Sequence, residues 1–246
     1  MNLYWTGVRL PSPPLMKITF DHIKGFGKVK HSDFTYAEAC GIVESTDNID
    51  ELLEQGWIPW FEKEWYNVRS VRINLNDYRP SSKTKKKFKK ISYDLKKTKE
   101  IVDLTEIYRI NDQYVERKEF DGRIDIDEIV KTTEYCFEFS YNDKIVAYTF
   151  MDVYEQSVLS CQFIYDYSCE NLSVGNISQY CECLYAKELG KKYVYILSGY
   201  EDTCLYKAEI YGMEWWTGKE WCTDYELYKK LCKRDTNIEI LNYDNI

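Results

Sequence analysis

The most regular pattern of hydrophobic and polar positions lies in the second half of the chain and predicts strand, loop, helix and strand in turn. Leu159–Tyr165 is rich in strand formers, and the polar residues 166–171 after it predict a loop. A helix is predicted to begin near Ser173 and to end at Gly190, because glycine readily takes the left-handed conformation that follows a last helical turn. The short apolar run Tyr193–Leu197 predicts a buried strand.

This segment also predicts where a ligand could bind. Two strands joined by a helix pair in parallel through a right-handed crossover, and the loop after the first strand then lies at the carboxyl edge of the sheet, where ligands usually bind. The spacing by itself favours purely structural roles, in which Asp166 makes a turn, Ser173 caps the helix and Gly175 packs closely against a neighbour.

Further hydrophobic patterns extend the prediction along the chain. Two β-rich runs flank Asn142-Asp143, a pair typical of a tight hairpin turn. Helices are predicted over 34–42, 47–55, 105–116, 126–132 and 224–232, and strands over 70–75, 135–141 and 144–154.

The order of these elements indicates the fold class. Helix, helix, three strands, helix and strand follow one another in the second half, as in the GCN5-related acetyltransferase (GNAT) architecture. We therefore predict an α+β (α/β) protein with a GNAT-like mixed β-sheet flanked by helices and a smaller N-terminal α+β region. The predicted division is residues 1–100 for the N-terminal region, which holds a basic tract, and 101–246 for the GNAT-like domain.

The composition predicts a folded protein in a reducing compartment. A hydrophobic content of 44% with 16% aromatic residues is typical of a folded protein. No apolar run approaches the roughly 20 residues that span a membrane, so no membrane partner is expected. The nine cysteines have no CxxC spacing and are odd in number, which favours a reduced, cytoplasmic location over a disulfide framework.

Charge is distributed very unevenly. The chain carries a net charge of −8, yet ten of the residues from Arg79 to Lys99 are lysine or arginine and one is acidic. A dense basic tract on an acidic protein is typical of a surface that binds a phosphate backbone, although a solvated helix face is the simpler alternative for lysines alone. The candidates for contact with phosphates are Arg79, Lys83, Lys85, Lys86, Lys87, Lys89 and Lys90.

Few residues remain as candidates for catalysis, because the familiar catalytic and cofactor-binding motifs are absent. No P-loop, GxGxxG, pyrophosphate loop of an acetyl-CoA enzyme or zinc-ligand spacing is present, so neither a cofactor nor a metal is expected. A helix start with a small residue can bring free N–H groups to an oxyanion, and a carboxylate beside it could accept a proton from an amine. The candidates are Tyr165, Asp166, Ser173, Gly175, Asn176 and Glu182.

These residues resemble the arginyl-tRNA–protein transferase family and its bacterial leucyl-transferring relatives. The family pattern F-Y-D-P, then S-L-G-T/V-Y, then A-K-x-L-G-x-x-Y-x-Y-L, and finally Y-K-A-R-F is similar to four segments of this chain. They are Phe163–Asp166, Ser173–Ile177, Ala186–Ile196 and Tyr206–Ile210.

The first half resembles the same family. Leu52–Trp57 is similar to L-I-x-x-G-W, and Ser70–Ser81 with the basic tract is similar to x-I-R-x-D…F-x-P-S-x-S-Q-x-K. Tyr108–Lys118 is similar to Y-x-x-Y-x-x-x-R-H, with lysine in place of the last histidine. The family's cysteine pairs are missing, and Cys204-Leu205 stands where the family has K-M.

The resemblance implies an aminoacyltransferase of the N-end rule of protein degradation. It would move an amino acid, of arginine or leucine type, from charged tRNA to an amine such as a protein N-terminus. Asp166 is the first choice to accept the amine proton, with Glu182 as the second choice, and the helix start at Ser173–Asn176 would bind the ester. Substrate-binding roles fall to Tyr165, Tyr206 and Lys207, with Trp57 and Trp60 stacking on unpaired bases.

Two other functions remain open from the sequence. The first is an acyl-CoA-dependent GNAT N-acyltransferase on the same fold. The second is a non-catalytic relative that binds tRNA or a degron.

Overall fold

The computed structural model describes residues 18–22, 29–30, 35–36, 39–43, 49–59, 64–67, 69–118, 125–199 and 202–235. Its α-helices are α1 (Ile49–Glu54), α2 (Ser82–Phe88), α3 (Thr105–Lys118), α4 (Ile126–Thr132), α5 (Val174–Glu188) and α6 (Tyr225–Asp235). Short 3₁₀-helices cover Thr98–Glu100, Tyr167–Leu172 and Asp202–Glu209.

The strands form one large sheet and two small ones. The strands before the basic tract are β1 (Ile18–His22), β2 (Val29–Lys30), β3 (Thr35–Tyr36), β4 (Ala39–Val43), β5 (Trp57–Pro59), β6 (Glu64–Asn67) and β7 (Ser70–Asn74). Those after it are β8 (Ser92–Lys97), β9 (Tyr135–Tyr141), β10 (Lys144–Val153), β11 (Ser157–Tyr165), β12 (Tyr193–Ser198), β13 (Met213–Trp216) and β14 (Trp221–Cys222).

The large sheet has eight strands in the order β14-β13-β7-β12-β11-β10-β9-β8. Its neighbours are antiparallel except β11 and β12, which α5 joins as a parallel pair. The α+β class with a mixed sheet flanked by helices, and the parallel crossover at its centre, are therefore confirmed. The β9–β10 hairpin is confirmed as well, since Asn142 and Asp143 both take the positive φ that a two-residue hairpin turn requires.

One predicted element is wrong, and one observed strand was not predicted. The helix predicted over 34–42 is wrong, because β3 and β4 occupy this segment, and β4 pairs with β1 on one side and β6 on the other. A strand at the edge of the large sheet, β8, was not predicted. Its polar residues are mostly exposed and lack the alternation that reveals a strand, and pairing with β9 holds them in the sheet.

Helices cover both faces of the large sheet, and the hydrophobic core lies between these helices and the sheet. On one face, residues of α5 and α6 pack with the sheet in the main hydrophobic cluster, which includes Ile73, Phe139 and Val194. On the other face α3 and α4 cover β9, β10 and β11, while α1 and β5 cover the middle of the sheet around Leu159 and Tyr195. The central strands are thus buried from both sides.

The large sheet combines strands from before and after residue 100. Strands β7 and β8 belong to the same sheet as β9 to β14, and the proposed division at residue 100 therefore runs through the sheet. Among the described residues, no helix combines the length and the apolarity that crossing a membrane would require.

Candidate active site

The site lies where the two parallel strands of the sheet separate. β11 and β12 pair only from Ser157 with Tyr193 to Leu159 with Tyr195, although β11 continues to Tyr165. Beyond these pairs a cavity of about 480 Å³ opens, and it is lined also by residues of α5, by Tyr114 and by the 3₁₀-helix after β12. The separation of the strands therefore creates the cavity.

Irregular backbone on both strands accompanies the separation. On β12, Leu197 takes a φ of 60°, which is unusual for a residue with a side chain. On β11, the register with β10 skips Cys161, so this residue forms a β-bulge that faces the cavity. Bulges and left-handed residues of this kind are common beside active sites. Burial raises the pKa of the Cys161 thiol, which makes it an inert thiol.

Seven residues predicted from the sequence come together in this cavity. They come from β11, from the start and middle of α5, and from the 3₁₀-helix that follows β12. They are Tyr165, Ser173, Gly175, Asn176, Glu182, Tyr206 and Lys207.

Glu182 lies at the polar floor of the cavity and is 2% exposed. Its Oε1 accepts hydrogen bonds from the hydroxyls of Ser178, at 3.1 Å, and Ser160, at 3.2 Å. Burial raises the pKa of Glu182 to about 7, and the hydrogen bonds from Ser178, Ser160 and Thr149 offset only part of that effect. A carboxyl group with this pKa can both take up and release a proton near neutral pH.

Lys207 is the buried cation of the site. Its Nζ donates to the carbonyl oxygens of Ile196, at 2.7 Å, and Ser198, at 2.5 Å, on the distorted end of β12. Burial lowers the pKa of Lys207. The ammonium group therefore satisfies carbonyls that β12 cannot share with β11 once the strands have separated.

Aromatic rings line the outer part of the cavity. Phe163 and Tyr165 stack along β11 with ring centroids 5.5 Å apart, and Tyr114 of α3 meets Tyr165 edge-on at 5.6 Å. Tyr206, from the 3₁₀-helix after β12, also lines the cavity and is 53% exposed. Tyr114 and Phe163 lie within segments that resemble the family patterns, but sequence reasoning did not select them, because nothing local indicates which ring faces a cavity.

Ser173 connects the cavity to the basic tract. It precedes α5 in a left-handed conformation and makes no capping hydrogen bond, unlike the cap expected from its type. Its Oγ instead accepts a hydrogen bond from Lys87 Nζ at 2.7 Å, and the same ammonium donates to the carbonyl of Asn171 at 2.8 Å. A lysine of the basic tract thus reaches the start of α5.

The basic tract forms a surface helix beside α5. Ser81 caps α2 by accepting from Thr84 N–H at 3.0 Å, and Phe88 anchors the helix against Tyr180 with ring centroids 5.0 Å apart. Arg79 lies just before the helix and donates to two carbonyls of its own turn. The exposed lysines of the tract are Lys83, Lys85, Lys86, Lys89 and Lys90.

Asp166 lies beside the cavity but is not part of its lining. The carboxylate receives hydrogen bonds from Lys144 at 2.8 Å, Arg109 at 3.1 Å and the Ser168 amide at 2.9 Å. Burial by itself would raise the pKa of Asp166, but these hydrogen bonds outweigh it and hold the pKa well below its usual range. Asp166 is thus a fully engaged anion that fixes the turn after β11.

Of the two tryptophans predicted to stack on bases, Trp57 does not line the cavity. Trp57 is 6% exposed and packs in the core with Leu52, Leu53 and Tyr195. Trp60 lies outside the described residues.

Comparisons with known proteins place this geometry in context. The family model for the C terminus of arginine-tRNA-protein transferases matches residues 70–209, which is more than half of the chain. That range contains every predicted site residue except Trp57 and Trp60. No curated protein sequence is significantly similar to the chain.

The similarity of the chain to solved structures is weaker than its match to the family model. The DUF2156 C-terminal domain of a protein described as a lysylphosphatidylglycerol synthetase, from Agrobacterium fabrum, is 10% identical with a TM-score of 0.45, over 54% of this chain and 46% of that one. L-PGS from Bacillus licheniformis is 12% identical with a TM-score of 0.43, over 63% and 52%. A fungal GCN5-related glucosamine N-acetyltransferase region is 12% identical with a TM-score of 0.43, over 61% and 20%. The chain thus spans about half or less of these proteins, and at such scores none of them supports a conclusion about function.

Proposed function

The chain belongs to the arginine-tRNA-protein transferase family, and we propose that it transfers an amino acid from a charged tRNA to the amino terminus of a protein in the cavity between β11 and β12. The observation that carries the proposal is the Glu182 carboxyl group, buried at the cavity floor with a pKa raised to about 7. An acid–base group matched to neutral pH is what transfer to an amine requires.

The reaction needs little beyond alignment, proton transfer and stabilisation of charge. The aminoacyl ester of tRNA is already activated. The acceptor ammonium gives a proton to Glu182, and the free amine attacks the ester carbonyl to form a C–N bond. The attacking nitrogen then carries one proton more than the product amide. As the tetrahedral oxyanion expels the ribose oxygen and the ester C–O bond breaks, the proton on Glu182 passes to that oxygen and the extra proton of the nitrogen passes to solvent water. One carboxyl group therefore serves the first proton transfer, from the ammonium, and the transfer to the leaving oxygen.

The start of α5 is suited to the ester oxygen. The first amides that bond within the helix are those of Asn176 and Ile177, both to the carbonyl of Ser173. The N–H groups of Val174 and Gly175 precede that ladder and, as far as the described part of the chain goes, are available to a developing negative charge. A Cβ on Gly175 would lie 3.5 Å from the Phe163 ring, which is an ordinary van der Waals contact, so the space beside Phe163 would accept a small side chain.

The position of α2 supports docking of the tRNA acceptor stem. The helix packs beside α5, and its Lys87 donates to Ser173, a residue of the cavity lining, at 2.7 Å. Phosphates bound by this helix would bring the unpaired 3′ end to the cavity. The aromatic rings of Tyr114, Tyr165 and Tyr206 are suited to the terminal bases, in place of Trp57, which is buried in the core.

The cavity lining favours a polar amino acid over leucine. Beside Glu182, the hydroxyl of Ser160 and the side-chain amides of Gln162 and Gln179 line the inner part. Ser160 and Gln162 already donate to Glu182 and to the Phe163 carbonyl, but an apolar side chain buried against Gln179 would separate its amide from water without a replacement. We therefore propose an arginine-type donor.

The test is a transfer assay with tRNA carrying labelled amino acid and an acceptor peptide with a free amino terminus. Glu182→Gln keeps the shape of the side chain and should reduce transfer at least about 100-fold, within the usual range for loss of a general base. Glu188→Gln, at an exposed position on the same helix, should be unaffected.

Three results would contradict the proposal. Absence of transfer from every charged tRNA would remove the enzymatic function, and tRNA binding without transfer would indicate the non-catalytic alternative. A thermal shift with coenzyme A and acyl transfer from its thioester would instead indicate an N-acyltransferase.

A further inference from the structure

Lys87 differs from the other lysines of α2. Its neighbours Lys86 and Lys89 are exposed, whereas Lys87 is half-buried and its ammonium group is engaged just before α5. The Nζ atom donates to Ser173 Oγ at 2.7 Å and to the Asn171 carbonyl at 2.8 Å. An ammonium group with these two acceptors has one N–H left for a phosphate. Lys87 is therefore less suited to phosphate binding than its charge alone predicts.

Ser173 has the residue type of a helix cap but not the conformation of one. A capping serine lies in the extended region, and its hydroxyl oxygen accepts from the second or third amide of the helix. Ser173 instead has a φ of 57° and a ψ of 48°, and its side chain makes no capping hydrogen bond. The left-handed region is unfavourable for a residue with a side chain, so Ser173 needs an outside contact to remain there.

Lys87 supplies that contact. Its helix is fixed against α5 by Phe88, whose ring centroid lies 5.0 Å from that of Tyr180. The lysine is thus held at its base by packing and at its tip by the two hydrogen bonds before α5. As a result, the hydroxyl of Ser173 is engaged by α2 and not by the amides of its own helix.

The missing cap leaves the first turn of α5 open towards the cavity, which Gly175 and Asn176 help to line. These two residues hold the second and third amides of the helix. Asn176 N–H bonds to the Ser173 carbonyl at 3.1 Å, and Gly175 N–H has no partner among the described residues. A Ser173 cap would compete with an oxyanion for the N–H groups of this turn.

We propose that Lys87 is a positioning residue for the transfer reaction, which holds the Ser173 hydroxyl away from α5 and so leaves the first-turn amides to the oxyanion. The inference rests on the proposed function, because it takes the start of α5 as the oxyanion site. It also divides the basic helix into two roles. Exposed lysines such as Lys86 bind tRNA phosphates, and Lys87 acts on the chemical step through Ser173.

Steady-state transfer kinetics distinguish the two roles. Lys87→Met keeps most of the aliphatic stem and removes the ammonium, which releases Ser173 to cap the helix. The uncapped state then becomes the minor one, so kcat should fall about five- to tenfold while KM for charged tRNA stays within about twofold. Lys86→Met is the matched control on the same helix; it should raise KM, lessen its dependence on salt and leave kcat within about twofold.

A substitution at Ser173 tests whether Lys87 acts through the hydroxyl. Glycine takes the left-handed conformation readily and has no side chain that could cap the helix. In the Ser173→Gly background, Lys87→Met should therefore change kcat by less than about twofold, whatever Ser173→Gly does alone. A loss of kcat that persists undiminished in this background would overturn the proposal.

Amide hydrogen exchange detects the cap without any transfer reaction. Lys87→Met should slow exchange at Gly175 or Asn176 at least about threefold, because one of these amides gains the Ser173 hydroxyl as an acceptor. Adding Ser173→Gly should abolish the slowing. Lys86→Met should leave exchange at both amides unchanged.

The outcomes separate this inference from the proposed function. If Lys87→Met and Lys86→Met both raise KM and leave kcat and exchange unchanged, Lys87 is a phosphate ligand; the inference falls and the transferase stands. Slowed exchange in Lys87→Met that Ser173→Gly abolishes, in a protein that transfers no amino acid, would support the hold of Lys87 on Ser173 and refute the reaction.

Discussion

The buried carboxyl group of Glu182 should make the stability of the protein depend on pH. Glu182 is a buried carboxyl group whose pKa is raised to about 7 from an ordinary value of 4.5. The substitution Glu182→Gln removes its ionisation and retains an oxygen that can accept from Ser160 and Ser178. We expect the variant to be more stable than the natural protein in alkaline buffer and to lose this advantage in acid.

The sign follows from proton binding in the two states. Below about pH 4.5 the group is protonated whether the chain is folded or not, so ionisation contributes nothing. Between 4.5 and 7 the unfolded chain loses the proton while the folded chain keeps it, and the free energy of unfolding therefore falls as pH rises. Above pH 7 both states are ionised and the penalty stays constant.

The size of the stability change follows from the interval between the two pKa values of Glu182, which are 4.5 in the unfolded chain and about 7 in the folded protein. Each pH unit in which the folded group alone holds the proton corresponds to about 1.4 kcal/mol. Because part of the interval lies below pH 5, the advantage of the variant should grow by about 2–3 kcal/mol between pH 5 and pH 8.

The measurement is urea unfolding of both proteins at pH 5, 6, 7 and 8. Any constant cost of placing an amide in the site is the same at each pH and cancels from the trend. Glu188→Gln, at an exposed position of α5, serves as the matched control and should differ from the natural protein by a pH-independent amount. A difference between Glu182→Gln and the natural protein that is flat from pH 5 to 8 would refute the assignment of a raised pKa.

Three further predictions concern the surroundings of the cavity. Asp166→Asn should lower the free energy of unfolding by roughly 1–2 kcal/mol at pH 7, because Arg109 and Lys144 lose a charged acceptor but are themselves partly exposed to solvent; urea unfolding should show this loss persisting at pH 5 and shrinking only in strongly acidic buffer, since the native pKa lies well below its usual range. Lys207→Met should cost roughly 2–4 kcal/mol in the same measurement, because two buried carbonyls lose their donor, and an unchanged midpoint would contradict the role of its ammonium. Tyr206→Leu should raise KM for charged tRNA about tenfold, the worth of one stacked base, whereas Tyr211→Leu, an exposed tyrosine that does not line the cavity, should leave KM unchanged.

The amino-acid sequence by itself determined the order and type of most elements of the sheet domain. Hydrophobic periodicity and turn residues are local signals, and they placed the β9–β10 hairpin, α4 and the β11–α5–β12 unit within a few residues of their observed bounds. Local motifs also selected the cavity residues from β11, α5 and the following 3₁₀-helix, because each motif lies within a single element or turn.

Tertiary structure alone decided what these residues do. Glu182 has its raised pKa because α5 buries it against Ser160 of β11. Asp166, equally acidic in the sequence, has a lowered pKa because Arg109 and Lys144 reach it from other elements. Trp57 became a core residue because α1 and β5 cover the sheet there. Burial, partners and the separation of two strands depend on groups far apart along the chain, and no local pattern records them.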